Sequence, residues 1–479
     1  MAMLYSILSA DEIITAKSNV AEYNRLTSFW DAQNNLSPPI VCAPKTIQSL
    51  SVALKYLYST ELDIGIRGNG YRSPPVKDVL VSLTHFDDFV FNADEETVTA
   101  GAGQQWTSVF EKIDEVAPEY TVVGTRTPSI SVGGSIVSGG FSWLSGEYGC
   151  ISDPQNLLDC QVVKFDGSVV WASEEPDLLW ALRGGGPGYG GELPNSKHNS
   201  GTNKVLVIVK VILRARKISR SIFCGTIIIP KSSLSTAVKG LVAFMAAPVD
   251  PGVSAFMFLE RPKFNAMHLD GDIEGDIVIF QIFDRHGQAH GKQTFSWLLE
   301  LPGVMDMTIE TNMLGVIKLQ DRVENLKGTA QQYSSPMIID ALSERQVSKC
   351  LDWFQDLGDS DTTVAENTFM IFEMFCTTES PHKGSMAWPG PRGCKHMLVV
   401  GVGCELHASA GEVGLAECLA ASAPHQLMGD AHITYTAPNA IEKWHSTKEI
   451  YGEHFERLVS LRNKYDPERR FKGTIGYEM

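Results

Sequence analysis

The 479-residue sequence has no apolar run as long as the roughly 20 residues that a transmembrane helix needs. Its N-terminal stretch, MAMLYSILSADEIITAKS, also lacks the basic start and long apolar core of a secretory signal, since Asp11 and Glu12 interrupt it. These absences predict no membrane span and favour a cytoplasmic location. A leader that had been removed would leave the same pattern.

Positive charge is scarce as well. The chain has 40 basic residues against 56 acidic residues, a formal net charge of −16. Nucleic acids and anionic membrane surfaces are bound by basic surfaces, which this balance does not provide. We therefore expect neither a nucleic acid nor a membrane as a partner.

Cys-x-x-Cys pairs are absent, and the nine cysteines are scattered. An odd number at such spacing favours reduced thiols over a disulfide framework. His286 and His290 have the i,i+4 spacing of helical metal ligands, but Gly287 and Gly291 indicate a loop there. No third ligand is evident, so we predict no metal site.

The chain is longer than one ordinary core supports, which predicts two domains. Apolar residues at helical spacing after Thr46, a suitable N-cap, predict a helix over 46–58. Asp166-Gly167 predicts a hairpin between strands at 158–164 and 169–171. From 221 to 403, strand-like runs alternate with amphipathic helices, a pattern typical of an antiparallel sheet covered by helices.

Glycine is concentrated between Thr121 and Asn156, where seven glycines occur and no charged residue stands from Ser129 to Ser145. Glycine loses much backbone entropy on folding, so this density indicates close approach to something large and flat, or to a phosphate. A flexible linker is the alternative interpretation. Apolar residues in the run, among them Phe141, disfavour it.

The segment GTRTPSISVGGSIVSGGFSWLSGEYG, followed by DPQNLL, resembles the flavin-binding loop of the berberine-bridge-enzyme-like oxidases. These are FAD proteins of the vanillyl-alcohol-oxidase type. LDIGIRGNGYRS, DLLWALRGGGPGYG and IYGEHFERLVSLRNKYDPERRF match the same family in the same order. The resemblance implies an α+β, two-domain PCMH-type FAD-binding fold whose antiparallel-sheet substrate domain is covered by helices. The implied units are an FAD-binding domain at 1–215, a substrate domain at 216–424 and a tail at 425–479 that returns to the FAD domain.

The resemblance also implies which residues contact FAD. They are Arg67, Gly68, Asn69, Gly70, Tyr71, Arg126, Ser129, Ser131, Val132, Gly133, Gly134, Asp153, Asn156, Val207 and Val209. In the family, a histidine at the position of Tyr71 and a cysteine aligned with Arg126 or Thr127 bond covalently to the flavin. Neither is present here, so we predict FAD held without a covalent bond. Tyr71 would then form an aromatic wall or take a chemical role. Arg126 would place positive charge near the cofactor or form a structural ion pair.

An acid/base residue is implied on the substrate sheet and near a Tyr-x-Asn-Tyr segment, which here is His432-Ile-Thr-Tyr435. The candidate catalytic residues are therefore Tyr435, His432 and Glu373. An imidazole titrates near neutral pH and suits proton transfer. A structural role is the alternative for each. Trp388 and Arg392 resemble pocket-lining residues.

Gly186, Gly188 and Gly191 match GxGxxG, but the segment before them is helical and a polar segment follows, which disfavours a Rossmann site. Residues 191–204 form an insertion relative to the family, and we expect a mobile loop there.

The implied activity is oxidation of a small apolar secondary metabolite, polyketide- or alkaloid-like, by hydride transfer to FAD, with ring closure as a further option. A monomer or a homodimer would suffice. Two alternatives stay open. The changed covalent positions also suit a redox-neutral cyclase of the Diels–Alderase type, which works by holding a reactive conformer. A non-enzymatic ligand-binding protein is the other.

Overall fold

The computed structural model describes residues 3–71, 75–186, 206–247, 250–261, 277–360, 362–375, 384–390, 396–429 and 437–465. No helix within these ranges has the length and apolar character that crossing a bilayer demands.

The N-terminal half begins with a four-stranded sheet in the order β1-β2-β4-β3. Its strands are β1 Ile13–Ile14, β2 Ile40–Cys42, β3 Ile64–Arg67 and β4 Val79–Ser82. Strands β2 and β3 both pair with β4 in parallel. The predicted helix that precedes β3 is confirmed at Ile47–Tyr58, where the Thr46 side chain accepts a hydrogen bond from the N–H of Ser49.

A second sheet has the order β5-β6-β10-β8-β9 and is antiparallel. The strands of this part are β5 Phe89–Asn92, β6 Thr97–Gly101, β7 Tyr120–Thr121, β8 Leu157–Lys164, β9 Val169–Trp171, β10 Leu206–Arg214 and β11 Arg216–Lys217. The short strands β7 and β11 pair with each other. Strands β8 and β9 form the hairpin that Asp166-Gly167 predicts, so that prediction is confirmed.

A seven-stranded antiparallel sheet dominates the rest of the chain, in the order β15-β12-β14-β13-β17-β18-β16. Its strands are β12 Ile222–Ile229, β13 Val253–Glu260, β14 Ile277–Asp284, β15 Met305–Thr311, β16 Gln331–Ile339, β17 Phe369–Met374 and β18 His396–Cys404. Alternation along the strands separates its two faces. One face, with Phe256 and Met397, joins the core shared with the N-terminal half, and the other, with Met257 and Leu398, packs under helices.

The α-helices are α1 Leu4–Ile7, α2 Val20–Thr27, α3 Ile47–Tyr58, α4 Trp106–Val116, α5 Val132–Val137, α6 Ser145–Tyr148, α7 Pro176–Leu182, α8 Leu234–Ala246, α9 Gln288–Thr294, α10 Ser296–Leu299, α11 Met313–Lys318, α12 Glu344–Ser360, α13 Thr362–Ala365, α14 Ala410–Met428, α15 Thr447–Tyr451 and α16 Phe455–Tyr465. Short 3₁₀ helices span Ala10–Glu12, Ala32–Asn34, Ala172–Glu174, Lys231–Ser233, Asp321–Leu326, Pro438–Ala440 and Gly452–His454. Buried residues of α8, α12 and α14 cover the outer face of the large sheet.

The last helix, α16, packs against α7 of the N-terminal half. The Tyr465 hydroxyl donates to Glu175 Oε2 at 2.8 Å, and Arg457 pairs with Asp177 at 2.7 Å. The Arg457 guanidinium also lies 3.9 Å from the centre of the Trp180 ring. These contacts attach the end of the described chain to the N-terminal half.

Candidate functional site

A cleft of about 270 Å³ lies between the N-terminal half and the large sheet. The loop after β3, the glycine-rich segment and β10 line one side of it. Glu373 on β17 and Met397 on β18 line the other, together with Asn439. The walls are mainly apolar and include Ile130 and Phe141. Such a cleft is the usual setting for a small molecule that a few polar groups orient.

The two loops on the N-terminal side touch each other. Asn69 Nδ2 donates to the carbonyl of Ser129 at 2.6 Å. A Cβ added to Gly68 would stand 2.2 Å from Ser131 Oγ and 2.7 Å from Ser131 Cβ. Only a glycine permits this approach, so the pair fixes the spacing of the two loops.

Four backbone N–H groups beside the cleft lack a protein acceptor. They belong to Gly68, Asn69, Ser131 and Gly134, which all line it, and none bonds another group within the described ranges. Gly68, Asn69 and Ser131 are buried or half-buried, and such N–H groups normally find a partner, whereas Gly134 is exposed and belongs to the first turn of α5. These four donors therefore offer a place for an anionic ligand.

Tyr71 stands at the end of the first loop. Its ring stacks on Trp30, with centroids 5.4 Å apart and planes inclined by 15°. Its hydroxyl donates to Glu324 Oε2 at 2.8 Å and forms a short hydrogen bond with Ser129 Oγ. Burial, with the Glu324 carboxylate beside it, raises the pKa of Tyr71 well above its ordinary value. The phenol therefore stays protonated.

Lys327 holds the same loop from the large sheet's side. Its Nζ donates to the carbonyl of Asn69 at 2.5 Å and lies 3.3 Å from Glu324 Oε1. Burial lowers the pKa of Lys327 to about 8. Glu324 and Lys327 thus connect the loop to the Asp321–Leu326 helix.

Arg126, from the glycine-rich segment, reaches the large sheet. Its Nη2 pairs with Glu373 Oε1, and its Nη1 donates to Gln320 Oε1 at 2.9 Å. Its guanidinium also lies 5.2 Å from the centre of the Phe256 ring. Glu373 lies 247 positions along the chain on β17, and Phe256 lies on β13, so Arg126 bridges the two halves across the cleft.

Glu373 is 1% exposed, and its second oxygen, Oε2, has no hydrogen-bond partner among the described residues. Burial raises the pKa of Glu373, and the Arg126 guanidinium opposes part of that rise. A carboxylate with one oxygen paired and the other unpartnered in a cleft can accept a proton or a hydrogen bond from a ligand.

Comparison with known proteins indicates which cofactor the chain binds. Residues 38–173 match the FAD binding domain family. The chain has an FAD-binding domain. FAD-dependent monooxygenase FUP4 of Fusarium proliferatum is 31% identical over 170 residues, which cover 34% of this chain and 32% of that protein. FAD-dependent monooxygenase tpcD of Cochliobolus heterostrophus is 25% identical over 339 residues, covering 68% of this chain and 61% of that protein. The matches therefore span about a third to three-fifths of these relatives' length.

The structure of Physcomitrella patens BBE-like 1 superimposes with a TM-score of 0.76 over 99% of both chains, at 15% sequence identity. At that identity the likeness concerns the fold. The predicted PCMH-type FAD-binding fold of the berberine-bridge-enzyme-like proteins, with its antiparallel-sheet domain, is therefore confirmed.

The residues of the FAD-binding domain suit its cofactor. The unsatisfied N–H donors of Gly68, Asn69, Ser131 and Gly134 match the needs of a diphosphate. The apolar walls of the cleft match those of a flat aromatic ring system. FAD would be held chiefly by backbone amides.

Several predicted cofactor residues line the cleft. They are Gly68, Asn69, Gly70, Tyr71, Arg126, Ser131, Gly133, Gly134 and Val207. Ser129 contributes through its bonds to Tyr71 and Asn69 rather than as a lining residue. Val132 and Val209 are buried in the core beneath. The direct contact of each with FAD stays a prediction.

Other predicted residues shape the loops from behind. The Arg67 guanidinium is buried and donates to the carbonyls of Ser28 and Asn69, both at 3.3 Å. Asp153 accepts from the N–H of Cys150, and Asn156 Nδ2 donates to the carbonyl of the same residue at 2.7 Å. Burial raises the pKa of Asp153 to about 7. None of the three lines the cleft.

Trp388 accounts for part of the glycine pattern. A Cβ added to Gly139 would stand 2.8 Å from its indole, and Gly139 has φ +84°. The indole also meets the Phe141 ring edge-on at 5.8 Å. The large flat partner of the backbone at Gly139 is thus the protein's own side chain.

Some predicted residues lie outside the described ranges, namely His432, Tyr435, Arg392 and the insertion at 191–204. Sequence reasoning missed Gln320, Glu324, Lys327 and Asn439, which the fold brings to the cleft or to the loops around it. No local spacing marks them, since each depends on a partner far away in the chain.

Proposed function

We propose that this protein is an FAD-dependent oxidoreductase that oxidises a small, apolar secondary metabolite. The observation that carries the proposal is the unpartnered Oε2 of buried Glu373, which lines the same cleft as the unsatisfied backbone N–H groups. The relatives named as FAD-dependent monooxygenases support a redox function.

When bound, FAD supplies the acceptor for a hydride from the substrate. Side chains of the protein accept the proton that the substrate loses. Glu373 Oε2 accepts a proton from a substrate hydroxyl or amine, while Arg126 stabilises the charged carboxylate through Oε1. The apolar walls limit water and select an apolar substrate, with Phe141 and Met397 on opposite sides.

We further propose that the FAD is not covalently bound. By the resemblance, Tyr71 and either Arg126 or Thr127 align with the family's covalent side chains, and no histidine or cysteine is among the described lining residues. Cys150 is buried, and burial raises the pKa of its thiol, so it is a poor nucleophile.

A cytoplasmic location is also proposed, because the seven described cysteines are all free and six of them are buried. Thiols that stay reduced are typical of the cytosol. Fractionation of cells that express the natural gene would test the location.

The test starts with an absorbance spectrum of the purified protein before and after acid precipitation. We expect a yellow protein that releases free FAD into the supernatant. Yellow protein whose colour stays in the pellet would contradict non-covalent binding. Colourless protein that still cyclises a substrate would replace the redox function with a redox-neutral one.

The role of Glu373 is tested without oxygen, by following the loss of flavin absorbance with a panel of polyketide- and alkaloid-like compounds. We expect Glu373→Gln to slow flavin reduction by about 100-fold or more. Glu260→Gln is the matched control, since Glu260 is buried on neighbouring β13 but does not line the cleft. Equal rates for Glu373→Gln and the unmodified protein would remove the proton-acceptor role.

A further inference from the structure

A row of three side chains crosses the large sheet opposite the FAD-binding domain. Phe256 on β13 pairs directly with Gln281 on β14 and with Glu373 on β17. Residues that pair directly across antiparallel strands project from the same face. A polar amide, an aromatic ring and a carboxylate therefore lie side by side.

Arg126 lies over this row. Its guanidinium is above the central ring of Phe256 and pairs with Glu373 on one side. On the other side it meets Gln320, which follows α11 and is 1% exposed. The cation thus sits between a carboxylate and a neutral amide.

The orientation of the Gln320 amide is set by a chain of hydrogen bonds. Gln320 Nε2 donates to Gln281 Oε1 at 3.0 Å, and Gln281 Nε2 donates to the carbonyl of Leu319 at 3.0 Å. The Gln320 amide nitrogen therefore points toward Gln281 of the large sheet. Its Oε1 is turned the other way, where it accepts from Arg126 Nη1 at 2.9 Å and from Thr127 Oγ1 at 3.1 Å.

We propose that Gln320 is a positioning residue of the active site, whose amide holds the Arg126 guanidinium in the place where it pairs with Glu373. The inference rests on the proposed role of Glu373 as proton acceptor. Gln320 itself does not line the cleft, so it acts on the chemistry through Arg126.

Loss of the amide has a defined consequence for Glu373. Without Gln320 Oε1, a half-buried guanidinium loses an acceptor, which is costly, so Arg126 turns toward water and away from Glu373. Within the described ranges, Arg126 is the charged group that acts on the ionisation of Glu373. The neighbouring Phe256, Gln281 and Met397 carry no charge. The carboxyl should then keep its proton to higher pH.

The experiment measures the protonation of the Glu373 carboxyl in the FAD-loaded protein. Protein labelled with carbon-13 glutamate is titrated, and the carbonyl stretch of protonated Glu373 is followed in the infrared. Loss of the band in Glu373→Gln assigns it. We expect Gln320→Leu to move the midpoint upward by about one pH unit, the equivalent of one hydrogen bond to a charged group.

A double-mutant cycle separates positioning from general damage. Arg126→Met should raise the midpoint more, and adding Gln320→Leu to it should produce no further change. Gln332→Leu is the matched control, because Gln332 is a buried, hydrogen-bonded glutamine of the same sheet. It should leave the midpoint where it is.

A midpoint in Gln320→Leu that stays constant or falls would overturn the proposal, as would an additional shift in the Arg126→Met background. If Gln320→Leu does not fold, Gln320→Glu serves instead, since its carboxylate competes for Arg126 and should also raise the midpoint. Flavin reduction by Glu373→Gln at the rate of the unmodified protein would remove the proposed proton-acceptor role of Glu373, whereas the titration would still report the effect of Gln320 on the carboxyl.

Discussion

The contact between Gly68 and Ser131 makes a sharp prediction about FAD binding. In Gly68→Ala, the new methyl group would stand 2.2 Å from Ser131 Oγ and 2.7 Å from Ser131 Cβ. Rotation of the serine hydroxyl relieves the first contact but not the second. The two loops must therefore move apart, and both carry N–H groups proposed to hold the diphosphate.

The size of the effect follows from the geometry. Ordinary carbon–carbon contact needs about 3.5–4.0 Å, so the loops must separate by roughly 1 Å. Overpacking of this kind costs about 1–3 kcal/mol. If that cost falls on the bound state, FAD affinity drops by roughly 5- to 150-fold, since 1.4 kcal/mol corresponds to tenfold.

The assay is titration of apoprotein with FAD, followed by flavin fluorescence. Ser131→Gly provides the matched test because it removes both atoms that the new methyl group would meet. Ser131→Gly alone should weaken binding little, and Gly68→Ala with Ser131→Gly should bind better than Gly68→Ala. Full affinity in Gly68→Ala, or a double variant no better than Gly68→Ala, would refute the reasoning.

Three further predictions concern stability, each measured by chemical unfolding. Gly139→Ala should lower the free energy of unfolding by about 2–4 kcal/mol, because φ +84° and the nearby Trp388 both oppose a side chain. Gly414→Ala, whose new methyl group meets nothing within 4 Å in α14, should raise it by up to about 1 kcal/mol. Equal effects of the two substitutions would contradict the packing argument. Tyr71→Phe should lower the free energy of unfolding by about 1–3 kcal/mol, since it leaves the Glu324 carboxylate without its phenol donor. An unchanged free energy would show that the Tyr71–Glu324 hydrogen bond contributes nothing. Asp153 has its pKa raised to about 7 by burial, so the folded protein holds a proton that the unfolded chain releases near pH 4, and stability from this group falls as pH rises from about 4 to 7. In Asp153→Asn, the free energy of unfolding should fall by up to about 4 kcal/mol less over this pH range. An unaltered pH dependence would show that Asp153 does not cause the fall.

Local signals in the sequence were sufficient for the elements of the N-terminal half. Thr46 predicts the start of α3, and Asp166-Gly167 predicts the β8–β9 hairpin, because a cap and a tight turn depend only on neighbouring residues. The glycine-rich segment likewise predicted a loop of special shape, and several of its residues line the cleft. Its explanation was incomplete, since at Gly139 the packing partner is Trp388, far along the chain.

Long-range contacts account for what the sequence did not predict. Glu373 was named from a resemblance, but its pairing with Arg126 joins positions 126 and 373 and leaves no periodic trace. Gln320 and Glu324 are ordinary polar residues until α11 and the following 3₁₀ helix bring them to the first half. Such residues become visible only when strand order and register are known.

The two faces of the large sheet can change in sequence independently of each other. Along β17 and β18, each residue on the face toward the cleft is followed by one that belongs to the helix-covered core, as with Glu373 and Met374 or Met397 and Leu398. New substrates could therefore be accommodated by exchanging every second residue on a few strands. The residues on the helix-covered face, which support the fold, would stay the same while those on the cleft face change.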